Sequence, residues 1–205
     1  MDNNSKNNFK YFLVLFIIFV LVLIWSLFDN FSMLTWVPEA LPAILMVLVL
    51  SITYKSFKFS KFVYFIVLIH CIILLVGAKY TYERNPLFDY FKEIFDLSRN
   101  HYDRVGHFFQ GLTPAFMAKE LYIKKGIFKS KRMLYFVIIA TVMGISATYE
   151  LLEFATSIIS GYPAEIVLSY QGSIWDTQYD MLFALIGGIT ALTIFKKLHD
   201  TYINK

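Results

Sequence analysis

Residues 171–181 read QGSIWDTQYDM and continue directly into the apolar segment LFALIGGITALTIF at 182–195. Asp176 and Asp180 therefore lie one helical turn apart, at the head of a segment that is otherwise typical of a transmembrane helix. A charged residue inside a membrane costs roughly 2.5–3.5 kcal/mol on insertion scales, so it usually serves a function. This stretch indicates both a membrane protein and the position of a polar site.

The composition agrees with that interpretation. The chain has 205 residues, of which 58% are hydrophobic and 17% are charged. It contains five long apolar runs and a sixth, more polar one, and no Pro-, Gly- or Ser-rich linker divides it. This pattern predicts a single all-α membrane domain over residues 1–205. Cys71 is the only cysteine, which excludes an internal disulfide and a cysteine-based metal site.

The apolar runs predict a bundle of six transmembrane helices. At a rise of about 1.5 Å per residue, the first run spans about 27 Å, close to the thickness of a bilayer's hydrocarbon core. The fourth run is the least apolar, so one face of it must be turned to protein or water. The six segments are residues 11–28, 37–54, 62–78, 104–122, 133–154 and 175–195.

The connection between the third and fourth runs contains PLFDYFKEIFDLS at residues 86–98. Its apolar residues recur at helical spacing, with acidic and basic residues on the opposite side. Asn85 can cap such a helix, and Pro86 suits its first position. We predict an amphipathic helix at the outer face of the membrane.

The distribution of Lys and Arg predicts the topology. Fourteen of them lie in the N-terminal tail, the loops 55–61 and 119–132 and the C-terminal tail, against five on the other side. By the positive-inside rule, both termini are then cytoplasmic. The net charge of +4 reflects these loops, so we expect no nucleic-acid partner. The predicted location is the cytoplasmic (inner) membrane of a bacterium.

Polar side chains from three predicted helices reach one level near the outer side. Asp103 and His107 open the fourth helix, Glu150 and Glu153 lie near the end of the fifth, and the two aspartates described above open the sixth. Spacings of three or four residues place each pair on one helix face. We therefore predict that these residues share one pocket.

Such a pocket holds five acids against Arg104 and His107, and like charges that close cannot all ionise without compensation. Shared protons, a bound divalent cation or a cationic substrate group would each supply it. A general base would be Glu150 or Glu153, and His107 would be an acid or a ligand. The candidate ligands of a Mg, Mn or Zn ion are His107, Glu150, Glu153, Asp176 and Asp180. The predicted binding residues are Asp103, Arg104, Gln110, Gln171, Trp175 and Gln178.

A structural interpretation accounts for part of this pattern. Asp176 could serve only as a helix N-cap, and Arg104 could only neutralise a neighbouring aspartate. The two acids Glu150 and Glu153, one helical turn apart, are harder to explain in that way. No metalloprotease HExxH, Gly-x-Ser-x-Gly or phosphate-binding glycine loop is present in the sequence.

Three motifs together resemble a known family. They are RNHYDRVGHF at residues 99–108, YELLE at 149–153 and QGSIWDTQYDM at 171–181. In this order they are similar to the YjdF-like family of bacterial inner-membrane proteins, a domain of unknown function. Phe154 stands where the family pattern suggests tryptophan. The resemblance implies a fold and a site but no reaction. A looser likeness to VanZ-type membrane proteins rests on the acidic end of the fifth helix and the Asp-headed sixth.

Three functions fit these features. The first is a membrane protein whose outward-facing acidic pocket engages an envelope component or lipid headgroup, with a divalent cation as the candidate cofactor. The second is a small cation- or proton-coupled transporter, which is disfavoured because the inner halves of the predicted helices carry almost no polar residues. The third is a structural or assembly protein. Whether the chain is an enzyme, and its oligomeric state, stay open at this point.

Overall fold

The computed structural model describes residues 3–160, 171 and 173–203. Within these residues all regular structure is helical: eight α-helices and one short 3-10 turn, with no strand. The chain divides into two compact units, Met1–Thr81 and Tyr82–Lys205. Most of the predicted loop at 155–174 lies outside the described residues. The all-α class predicted from the sequence is confirmed.

The first unit consists of three long apolar helices: α1 (Asn3–Leu27), α2 (Met33–Thr53) and α3 (Lys61–Tyr80). Both α1 and α2 pack mainly against α3, and the Trp36 indole of α2 donates a hydrogen bond to the Ser26 hydroxyl of α1 at 3.1 Å. Ser32 caps α2 by accepting a hydrogen bond from the Leu34 amide, so this helix begins about four residues earlier than predicted. Pro38 therefore lies beyond the first turn, inside the helix.

The second unit begins with the 3-10 turn Tyr82–Arg84 and α4 (Pro86–Ile94). Asn85 accepts a hydrogen bond from the Phe88 amide at 3.3 Å, and Pro86 occupies the first helical position, as predicted. The helix ends four residues before the predicted Ser98. Its apolar side chains are exposed, including Leu87 and Ile94. An amphipathic helix is therefore present at this position.

Three helices form the core of the second unit: α5 (Tyr102–Lys124), α6 (Lys131–Ser160) and α7 (Asp176–Leu192). Among the described residues, α5 and α7 make the most extensive contact between two helices, and α6 packs against both. α6 continues six residues beyond its predicted end. These three helices carry all the acids of the predicted pocket.

Glycines allow α5 and α7 to touch backbone to backbone. A methyl group on Gly111 would lie 1.8 Å from the carbonyl oxygen of Ala184, and one on Gly187 would lie 2.0 Å from that of Phe108. Small residues permit this close approach in membrane helices, where van der Waals packing replaces the hydrophobic effect. The seam fixes the register between the two helices that supply most of the polar residues.

The predicted sixth helix ends early. α7 stops at Leu192, and after a bend of 59° the chain continues as α8 (Lys196–Ile203), in place of a straight helix to 195 and a tail. Buried charges hold α8 to the end of α5. The Lys119 ammonium lies 2.6 Å from Asp200, and the His199 imidazole lies 3.2 Å from Glu120. The end of the second unit where α5 ends and α8 packs thus contains buried charged residues.

Four helices are long and apolar enough to cross a membrane: Asn8–Leu27, Met33–Thr53, Lys61–Tyr80 and Lys131–Ile159. The bent pair α7 and α8 is a fifth candidate. α5 does not meet the same criterion, because polar and charged residues occupy both of its ends. The described chain is thus an all-α, multi-pass membrane protein with four or five apolar spans.

Candidate functional site

The polar residues of the second unit meet where α5 and α7 begin. Asp103 and His107 are four residues apart on α5, and Asp176 and Asp180 are four residues apart on α7, so each pair lies on one helix face. The close seam between the two helices turns these faces toward each other. We use the name charged centre for Arg99, Asp103, Arg104, His107, Glu150, Glu153, Asp176 and Asp180.

Two guanidinium groups neutralise part of the charged centre. Arg104 donates hydrogen bonds to the carboxylates of both Asp176 and Asp180 and stacks over the Tyr179 ring at 5.3 Å. Arg99 donates to Asp176 at 2.5 Å and lies 3.4 Å from Asp103. Both arginine side chains are more than 90% buried. Both arginines thus contact the same carboxylate oxygen of Asp176, Oδ1. Asp176 is the first residue of α7, so the N-cap interpretation does not describe it.

Sequence reasoning placed Arg104 in the pocket but overlooked Arg99 as a site residue. Arg99 lies in the segment between α4 and α5, where its charge was counted only toward membrane topology. Its position in the motif at 99–108, four residues before Asp103, was the available signal.

The His107 imidazole separates two groups of oxygen atoms. On one side, its Nε2 lies 3.2 Å from Asp103 Oδ1 and 3.3 Å from Asp180 Oδ1. On the other side, its Nδ1 lies 3.1 Å from Gln110 Oε1 and 3.9 Å from Glu150 Oε1. When Nδ1 carries the proton, it donates a hydrogen bond to Gln110 Oε1, and the Nε2 lone pair then points between the two aspartates.

The acids of α6 approach the same imidazole. Glu150 is 9% exposed, and its Oε1 is buried without a hydrogen-bond partner in the described structure. Glu153, one turn further along α6, is half-buried and close enough to interact electrostatically with Glu150 and His107. A buried carboxylate oxygen without a donor is costly and points to a ligand, a proton or a water at that position.

A polar clasp made by Gln171 and Asn100 joins the segments that lead into α5 and α7. Gln171 accepts a hydrogen bond from the Asn100 amide at 2.9 Å and donates to its carbonyl oxygen at 3.0 Å. The fully buried Asn100 side chain donates to the Asn85 carbonyl and to Asp89. Gln171 was predicted to bind a ligand, and the structure places it as a brace beside the charged centre.

Two other predicted binding residues are turned away from these contacts. Trp175 is 60% exposed, and Gln178 is exposed as well. Trp175 is the residue just before α7, and Gln178 lies in its first turn. Burial and the nearby Arg99 and Arg104 lower the pKa of His101, just before α5, below its usual value.

The donor set around Nε2 fits a divalent cation. Ligand atoms from Asp103, His107 and Asp180 all lie within 4.8 Å of one another. Bonds of about 2.1 Å in tetrahedral geometry place neighbouring ligand atoms about 3.4 Å apart, close to the two Nε2 to Oδ1 distances given above. The charge also fits, because the described residues of the charged centre include five carboxylates and two guanidinium groups. Asp103 and Asp180 thus join the ligand geometry and also contact an arginine, while the Asp176 carboxylate contacts Arg99 and Arg104.

Comparison with known proteins agrees with the motifs. Residues 11–201 match the family described as predicted membrane protein (DUF2238). The chain is also 40% identical over 133 residues to a protein named inner membrane protein YjdF, from Escherichia coli strain K12. That alignment covers 65% of this chain and 64% of the relative. No solved structure matches the chain. The resemblance to YjdF-like proteins is therefore confirmed, and the chain belongs to the DUF2238 family of membrane proteins.

Proposed function

We propose that this chain is an inner-membrane protein that binds a divalent cation at the charged centre and uses it to engage an anionic headgroup of an envelope lipid. The observation that carries the proposal is the meeting of Asp103, His107 and Asp180 ligand atoms within 4.8 Å, in a cluster with excess negative charge. Two carboxylates and one imidazole suit Mn²⁺ or Zn²⁺, and they accept Mg²⁺ with added water.

Each residue near the cation has a distinct part in this proposal. His107 is a ligand through Nε2. Gln110 and Glu150 act on its Nδ1 side, where a hydrogen-bond acceptor fixes the tautomer and orients the ring. Glu150 and Glu153 are the general-base candidates for any hydrolysis at this centre.

The headgroup part of the proposal rests on helix ends and arginines. α5 and α7 both begin at the charged centre, so the positive ends of two helix dipoles favour an anionic group there. Arg99 and Arg104 border the same position and add positive charge beside it. Asp103 is the most exposed of the three cation ligands, with 14% of its side chain accessible, which gives the cation an open side.

The packing supports binding over transport. A path from the charged centre to the buried ions at Lys119 and Glu120 would follow the seam between α5 and α7. That seam is closed at Gly111 and Gly187 by direct backbone contact. A ligand would therefore reach the charged centre only from the end of the unit where α5 and α7 begin.

We further propose that α5 also crosses the membrane, which brings the number of spans to six, and that both chain termini are cytoplasmic. This orientation would place the charged centre and α4 at the outer face. α5 has 23 residues and is therefore about 34 Å long, enough to cross a bilayer. Its polar residues Arg104, His107, Lys119 and Glu120 are buried, and α5 packs against α6 and α7, so these residues need not face lipid.

A reporter experiment tests this topology. We expect alkaline phosphatase to be inactive when fused after Lys205 and active when inserted in the exposed turn at Asp96, because only the latter would be exported. A cytoplasmic fluorescent protein should give the reverse pattern. An active phosphatase at Lys205 would contradict the proposed orientation.

Thermal unfolding of the purified chain tests cation binding. We expect Mn²⁺ to raise the unfolding temperature, with a stabilisation of about 2.7 kcal/mol at a hundredfold excess over Kd. Asp103→Asn should abolish this rise because it removes a ligand, while Arg99 and Arg104 keep their other carboxylate partners. Glu93→Gln removes the same charge from an exposed acid on α4 and should leave the rise unchanged. No rise in the unaltered chain, or an equal loss in both variants, would contradict the site.

Glu150→Gln separates a working site from a structural cluster. We expect the variant to fold with unchanged or higher stability without metal, since it relieves repulsion in a crowded acidic cluster. Its Mn²⁺ affinity should fall by about 10–100-fold, as for other residues that orient a ligand. Unfolding temperatures and Mn²⁺ titrations of both proteins measure these quantities. Lower stability in metal-free buffer with unchanged Mn²⁺ affinity would favour a structural role.

A further inference from the structure

The first unit contains an apolar cavity of about 390 Å³ at the end where α1 begins and α2 ends. Residues of α1, α2 and α3 all line it, and both α1 and α2 pack mainly on α3. The buried side chains of Phe19, Leu50, Val67 and Leu68 contribute to its lining. Small-molecule sites usually occupy roughly 300–1,000 Å³, so this cavity is large enough for part of a lipid.

The cavity is flanked by lysines held on aromatic rings. Lys58 Nζ lies 4.9 Å from the centre of the Tyr54 ring, which lines the cavity. Lys61 Nζ lies 5.4 Å from the Tyr11 ring, and the Tyr11 hydroxyl donates to the Lys61 carbonyl oxygen at 3.0 Å. These cation–π contacts hold two ammonium groups at the same end of the unit as the cavity.

Aromatic residues form the wall below these lysines. The Phe12 ring makes edge-on contacts with Tyr54 and Tyr64, with ring centres 5.6 and 4.8 Å apart. All three rings line the cavity. The cavity thus has basic groups at its edge, amphipathic tyrosines next and an apolar interior. A phospholipid has a matching order of groups, from its phosphate to its acyl chains.

We propose that this cavity holds one acyl chain of an anionic phospholipid, whose phosphate is bound by Lys58 and Lys61. Moving an acyl chain from the bilayer into an apolar cavity gains little, because both surroundings are hydrocarbon-like. Selectivity must therefore come from the headgroup. Each lysine near a membrane surface strengthens binding of anionic lipid roughly fivefold. This site lies entirely in the first unit and is independent of the proposed cation site.

Binding of spin-labelled lipids to the purified full chain tests the proposal. We expect phosphatidylglycerol to bind roughly 25-fold more tightly than phosphatidylcholine with the same acyl chains, from two lysines at the factor given above. Lys58→Gln combined with Lys61→Gln should remove this preference. Lys129→Gln combined with Lys131→Gln, which changes two lysines where the loop after α5 meets the start of α6, should keep the preference.

A second variant tests the cavity itself. Ser51 lines the cavity from an exposed position on α2, so Ser51→Trp should fill the space with little strain on the helix. We expect it to weaken binding of both lipids at least fivefold while size-exclusion chromatography shows a folded protein. Equal affinity of the unaltered chain for the two lipids would overturn the proposal. Unchanged binding in Ser51→Trp, or equal loss of preference in both lysine pairs, would also overturn it.

Discussion

Gly111→Ala should prevent stable folding of the second unit. The added methyl group would lie 1.8 Å from the Ala184 carbonyl oxygen, which belongs to helix backbone and cannot move aside without separating α5 from α7. Overpacking of this severity should cost at least about 3 kcal/mol. In a chain of this size each kcal/mol lowers the unfolding temperature by about 2–4 °C. Size-exclusion chromatography and thermal unfolding in detergent measure the effect.

The chain provides a matched control for this substitution. Gly144 lies in the middle of α6, and a methyl group there would meet nothing within 4 Å. Gly144→Ala should therefore be neutral or stabilise the helix by up to about 1 kcal/mol, the difference in helix propensity. Similar stability of the two variants would show that α5 and α7 are not in backbone contact.

Arg104→Ala should produce the second large effect. Its guanidinium group is the donor to the buried carboxylates of Asp176 and Asp180, and its removal leaves Asp180 without its arginine. Breaking a buried ion pair from one side costs about 3–5 kcal/mol, because an uncompensated charge stays buried. We expect a corresponding drop in the thermal stability of the purified protein in metal-free buffer.

An exposed arginine serves as the comparison. Arg84 pairs with Glu83 at 3.5 Å, with 57% of its side chain exposed. Arg84→Ala should cost less than about 1 kcal/mol, the usual value of a surface ion pair. Equal stability of the Arg84 and Arg104 variants would mean that the charged centre is solvated and not a buried ionic network.

Sequence patterns predicted the helices and the meeting of polar residues for clear physical reasons. Apolar runs of membrane-spanning length limit where helices can lie, and spacings of four residues assign side chains to faces. The Asn85 cap and Pro86 likewise located α4, because both act through local geometry. These features depend on near neighbours in the chain, which a sequence displays directly.

The partners within the charged centre depended on distant residues. Arg99 reaches Asp176, which is 77 positions away, and nothing local distinguishes it from other loop arginines. Gln171 and Asn100 form their clasp across 71 positions. Such pairings are set by how helices pack, and the sequence of each segment alone does not specify them.

The bend between α7 and α8 was not foreseen for a similar reason. Residues 189–198 contain neither Pro nor Gly, so no local breaker signals it. The structure explains it through the environment of His199, whose ring contacts Phe116 at 4.8 Å and lies beside Glu120. Tertiary packing of a buried polar residue thus decides where this helix ends.

Pulsed electron paramagnetic resonance of the Mn²⁺-loaded chain tests most directly whether the cation binds at the charged centre. Nitrogen modulation from a coordinated imidazole should be present, because His107 is the proposed ligand through Nε2. The chain has four histidines, so the signal can be assigned by substitution. His107→Asp keeps a carboxylate ligand and should retain bound Mn²⁺ while losing the nitrogen modulation. The variants His70→Gln and His101→Gln should keep the nitrogen modulation.

The result that would contradict the central claim is equally specific. Mn²⁺ that binds without nitrogen modulation, or modulation that persists in His107→Asp, would place the cation away from the charged centre. Absence of any bound Mn²⁺ signal would remove the cation from the proposed function. We predict one bound ion per chain, with a nitrogen coupling that depends on His107 alone.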